Sequence, residues 1–165
     1  MIKTELNERG FNMKEPITKD VLNEIINAKN ENEGMKIIEN LVEPFPDMTF
    51  KSFFDNYLAT HQNITLAEII DKSNISRNYA YEIINGKKKG GRDKIIALCF
   101  AAGMNNNEVN HALKFSGNNE LYAKNNRDAV IIFAFTMMNN NNPDCKTIMQ
   151  LNDLLNKRNY AELDI

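Results

Sequence analysis

The sequence predicts an all-α protein of seven or eight helices. Three observations lead there. Apolar residues recur at helical spacing through most of the chain, as in FKSFFDNYLATHQ. No stretch sustains the alternation of a half-buried strand. The few glycines and prolines sit where helices could stop. The 165 residues are enough for a core without disulfides, and 42% hydrophobic with 25% charged residues is a soluble globular balance.

Taken in order, TKDVLNEIINAKN places Val21, Leu22, Ile25 and Ile26 on one face, with Thr18 as the candidate N-cap. GMKIIENLV is a second short helix, ended by Pro44 and Pro46 in the linker EPFPDM. Thr49 caps a helix carrying Phe50, Phe53, Phe54, Tyr57 and Leu58. Thr65 caps LAEIIDKS, and after NIS the residue Ser76 caps RNYAYEIIN, which Gly86 stops. RDKIIALCFAAG ends at Gly103, and NNNEVNHALKFSG ends at Gly117. DAVIIFAFTMM is apolar enough to be central, and DCKTIMQLNDLLNKR closes the chain, with Asp144 as its candidate cap. No repeat of fixed period shows. The expected core holds Phe50, Phe53, Phe54, Ile69, Ile83, Ile95, Leu98, Leu113, Ile131, Ile132 and Phe135.

The formal net charge of −2 argues against a non-specific nucleic-acid coat but leaves room for a local basic face. Such a face exists between residues 72 and 94, where seven basic residues meet only Glu82 and Asp93. The short asparagine runs read as codon bias rather than function. The two cysteines, Cys99 and Cys145, lie in apolar or helical contexts, and the polar start MIKTELNERG has no signal-peptide core. A reduced, cytoplasmic setting is therefore expected, with no membrane span.

LAEIIDKS-NIS-RNYAYEIING carries the sharpest signal. Two short helices packed across a tight turn need a residue that accepts the left-handed conformation, a small residue at the crossing and apolar contacts between the helices. Asn74, Ala80, and Ile69, Ile70, Ile75 and Ile83 meet these needs. From Phe50 to Gly117 the sequence resembles the lambda-repressor-like, or XRE-type, helix-turn-helix regulators. With SRNYAYEIINGKKKGGRD, the two Arg-Asp pairs and ELYAKNNRDAVIIFA, it resembles a small bacterial subgroup that has a helical C-terminal extension. Asn74 stands where the family usually has glycine, Ile70 where it has alanine, and Ile84 where it often has glutamate.

The resemblance implies a five-helix module over residues 47–117; an acidic helical segment (1–46) precedes it, and the extension (118–165) is expected to pack on it because DAVIIFAF is too apolar to stand alone. It implies a transcriptional regulator that binds double-stranded DNA by placing the helix after Ser76 in the major groove. Ser76, Arg77, Asn78 and Tyr79 would stand at the leading end, and Tyr81, Glu82 and Asn85 on the outward surface. Lys87, Lys88 and Lys89 would meet phosphates, although they read equally well as a solvated helix end. Tyr79 suits packing at least as well as contact, and Tyr81 suits the surface. A homodimer would match two half-sites.

Arg92 and Asp93 read as helix openers, as do Arg127 and Asp128; Arg127 could instead tie the extension to the module through an ion pair. His61 and His111 are isolated, no metal spacing occurs, and KKKGGRD lacks the phosphate-loop spacing, so neither an enzyme nor a cofactor is expected. The alternative is a non-enzymatic interaction module that keeps the fold without reading DNA, its protein partner docking on the C-terminal extension or the tyrosines.

Overall fold

The computed structural model describes residues 23–41 and 48–165. The chain divides into two compact units after Asp47. Among the described residues the structure is all-helical, with no strand. In the first unit, residues 23–26 are helical and α1 spans Glu31–Leu41. Asn30 accepts the Glu33 N–H, and Glu33 accepts the Lys29 N–H, which closes the start of α1. Ile25, Ile26, Met35 and Ile38 are exposed. The expected cap at Thr18, the apolar Val21 and Leu22, and the linker prolines lie outside the described residues.

The second unit contains α2 (Phe50–Thr60), α3 (Leu66–Lys72), α4 (Arg77–Ile84), α5 (Arg92–Ala101), α6 (Asn106–Phe115), α7 (Asn126–Asn139) and α8 (Ile148–Asn156). Capping fixes most of the starts. Thr49 with Ser52, Thr65 with Glu68, Asn105 with Glu108 and Thr147 with Gln150 each form a reciprocal capping box. The start of α8 corrects the sequence expectation. Thr147 caps it, because Gln150 stands in the third helical position, while the Asp144 N–H is used by Asn142 in the preceding turn.

α5 lies at the centre. It packs on α3, α6 and α8, and α7 packs on α6 and α8. Residues 95–100 are all buried, and Phe100 meets Phe135 edge-on at 5.2 Å. Phe53 and Ile132 are half-buried rather than central: Phe53 leans on Phe115 at 5.6 Å, and Ile132 sits next to exposed Phe133 at the core's edge.

The two Arg-Asp pairs exchange partners. Arg92 makes paired hydrogen bonds to Asp128 at 2.9 and 2.8 Å, and Arg127 makes them to Asp93 at 3.1 and 2.8 Å. The tie weighed for Arg127 as the alternative to a helix-opening role is thus present, and a second one accompanies it. Arg92 also donates to the Asn119 and Glu120 carbonyls, and Arg127 to those of Ala161 and Glu162. Asp128 accepts the Tyr122 N–H, and Asp93 accepts the Asp164 N–H. The N–H groups of buried Leu121 and Leu163 go to Asn110 on α6 and Asn152 on α8.

This pattern is unchanged when the halves 92–122 and 127–164 are exchanged. Each half is a helix pair followed by a return strap, so the structure contains an internal repeat that the sequence reading missed. Its spacing is not fixed, which hides it: Arg92 reaches a carbonyl 27 residues on, and Arg127 one 34 residues on. The left-handed residues after α5 and α6 are Gly103 and Gly117, whereas Asn141 and Asn159 take those places after α7 and α8.

Candidate nucleic-acid interface

α3 and α4 are joined by Ser73, Asn74, Ile75 and Ser76. Asn74 takes φ +60°, the left-handed conformation that asparagine tolerates best after glycine. Ser73 is fully buried and satisfied: its hydroxyl donates to the Ile70 carbonyl at 2.8 Å and accepts the Ile75 N–H at 3.3 Å. Ile75 is buried, and Ala80 is completely so, which fits a small residue at the crossing. Ile84 is buried as well, which explains an apolar residue there.

Gly86 stops α4 at φ +72°, and both the Lys87 and Lys88 N–H groups then turn back to the Glu82 carbonyl. Gly90 is buried where the chain runs against α4. A Cβ there would lie 2.8 Å from both Ile83 and Ile95 side chains, so any larger residue would force these two buried side chains to shift.

With Ala80, Ile83 and Ile84 inside, α4 turns Asn78, Tyr81, Glu82 and Asn85 to its other side. Ser76, Arg77, Asn78, Asn85, Lys87, Lys88 and Lys89 are exposed, and Tyr79, Tyr81 and Glu82 are half-buried. Ser76 occupies the N-cap position, but its side chain makes no capping bond. Its hydroxyl therefore remains available for contact.

Arg77 is not an isolated cation. It reaches Asp71 on α3 at 3.1 Å, and that bond and charge hold its guanidinium above its ordinary pKa. Lys88 pairs with Glu82 at 2.8 Å, which raises the ammonium's pKa in the same way, and it lies 5.4 Å from the centre of the Tyr79 ring. Lys94 lies 6.0 Å from the same ring. Tyr79 therefore packs against the core while two ammonium groups face its ring. Tyr81 also packs against the core, more deeply than a free surface tyrosine would.

Asp71, Lys94 and Lys51 belong to this surface but were not among the expected site residues. Among the described residues, a cavity of about 460 Å³ at the starts of α2 and α5 is lined by Lys51, Lys88 and Lys89 and by no carboxylate. The linear pattern could not pair Asp71 with Arg77, since the turn between them decides where each points. Lys94 was visible only as one member of the basic segment.

Among the described residues, no group of three or more His, Cys, Asp or Glu side chains could hold a metal ion, and no helix is long and apolar enough to cross a membrane. Both thiols are buried, and burial pushes Cys145 up to about 11 and Cys99 higher still. Compared with known proteins, the chain matches no protein-family model, no curated protein and no solved structure.

Proposed function

We propose that the chain is a sequence-specific transcriptional regulator that binds double-stranded DNA through a lambda-repressor-like helix-turn-helix, α3 and α4. The observation that carries this reading is the local design of the pair. A left-handed Asn74, a buried Ile75 and a fully buried Ala80 hold α4 with Ser76, Arg77 and Asn78 exposed at its leading end. The lysines after Gly86 extend the same surface with positive charge. In this reading Arg77 and Asn78 read base edges, and Lys87 and Lys89 hold phosphates.

Selection of bound sequences from random duplexes, followed by titration of the selected site, tests it. Arg77→Ala and Asn78→Ala should each weaken the selected site by about tenfold or more and relax the preference at one position. Changing Lys87 and Lys89 to alanine should weaken all sequences alike and flatten the salt dependence. Full binding by both sets of variants would remove the proposal.

A second reading, an interaction module that does not read DNA, draws on the ion pairs. Asp71 and Glu82 already engage Arg77 and Lys88, and the net charge is −2. It predicts an affinity for random DNA near zero at every salt concentration.

A further inference from the structure

A second cavity, of about 640 Å³, opens where the C-terminal ends of α2, α3, α5 and α7 meet the start of α8. That volume suits a small molecule. One wall is the stacked pair of Tyr57 and His61, whose ring centres are 4.0 Å apart with planes 15° from parallel. Phe100, Met138 and Ile148 supply further apolar lining, and Met149, also in the lining, is 68% exposed.

The charge of the lining has one sign. Among the described residues, Lys72 and Lys146 contribute to it, and no carboxylate does. Tyr57 adds no negative charge: a phenol is neutral near pH 7, and burial with the nearby Glu108 and Cys99 pushes this one further up, to about 12. That hydroxyl donates to the Ala102 carbonyl at 2.8 Å, which fixes the ring. The cavity thus offers a rigid aromatic stack, two adaptable thioethers and two ammonium groups, of which Lys72 also feels the charge of Glu68 one turn back on α3.

We propose that this cavity binds an anionic small molecule with a flat apolar ring system. The ring lies among the Tyr57–His61 pair and the methionines, and the anionic group meets Lys72 and Lys146. Asn74, the left-handed residue before α4, lines the same cavity, as does Asn141 beyond α7. An occupant therefore touches the α3–α4 turn and the second half of the internal repeat together. Ligand binding stands independently of the DNA reading, and only an effect of the ligand on DNA affinity rests on it.

Anilinonaphthalene sulfonate, a fluorescent aromatic anion, is a suitable probe for titration of the folded, full-length chain. A saturable one-site increase in fluorescence is expected. The double variant Lys72→Glu, Lys146→Glu should weaken it by about tenfold or more with unchanged circular dichroism. Met149→Glu, at an exposed side chain on the same cavity, should also weaken it, whereas Lys87→Glu with Lys89→Glu, outside its lining, should not. Neutral phenylnaphthylamine should bind more weakly than the sulfonate. Non-saturable fluorescence, undiminished binding by the Lys72 and Lys146 variant, or an equal loss in the Lys87 and Lys89 variant would overturn the proposal.

Discussion

Arg92, the first residue of α5, and Asp128, near the start of α7, face each other across 36 residues of chain with two parallel hydrogen bonds. Only 8% of the Asp128 side chain is exposed. Burial alone would raise its pKa. The Arg92 hydrogen bonds, the Tyr122 N–H and the charges of Arg92 and Arg127 outweigh burial and hold the carboxyl below the usual carboxylate range. Removing the acid should be costly: Asp128→Ala leaves Arg92 half-satisfied and should destabilise by about 3 kcal/mol in urea unfolding.

The same carboxyl sets a pH dependence. Its folded pKa is depressed, so the unfolded chain binds the proton more readily. The stability it contributes is complete above the unfolded value of about 3.9 and drains away as pH falls through the folded value. Urea midpoints measured from pH 6 downward should fall across this window. Asp128→Asn should start lower and lose less over the same interval.

Asp93 and Arg127 form the matching pair, both partly buried. A double-mutant cycle with Asp93→Ala and Arg127→Ala should return a coupling of about 1–3 kcal/mol. A cycle between Arg77 and Asp71, both more than half exposed, should return much less stability coupling. Equal couplings would mean that burial does not distinguish the two kinds of pair.

Asp71 bears on binding rather than on folding. Asp71→Asn frees Arg77 and removes a negative charge from the surface proposed to meet DNA, so on that proposal affinity for a selected duplex should rise several-fold, with the unfolding midpoint nearly unchanged. Unchanged affinity would place Arg77 outside the contact surface.

Asn74 tests the turn. Asn74→Gly should be neutral or stabilise by up to about 0.5 kcal/mol, and Asn74→Ala should destabilise by about 1 kcal/mol, because φ +60° strains a Cβ with no compensating polar side chain. Thermal unfolding of the three proteins gives the order directly.

The sequence made the local features legible. Asn74, Ala80, Ile83 and Gly86 are governed by the turn they occupy, and each sits as its residue type suggested. Features that depend on two distant segments meeting were less legible. Arg127 suggested a tie to the module, but Arg92 read as a helix opener, since nothing in RDK shows that Asp128 will arrive beside it. The repeat escaped because asparagine replaces glycine at its turns and its second half is longer. On the candidate site, the exposure of Arg77, Asn78 and Asn85 followed from helical spacing, but the half-burial of Tyr81 and Glu82 and the acids that engage Arg77 and Lys88 did not.

The Asp164 N–H to Asp93 bond also has a consequence for synthesis. A ribosome delivers α5 long before residues 161–164, which complete the contacts of Asp93 and Arg127. The nascent chain must therefore carry its central helix with one unclosed end until almost the whole unit has emerged. Closure of that end awaits residues 161–164 rather than the appearance of any single helix.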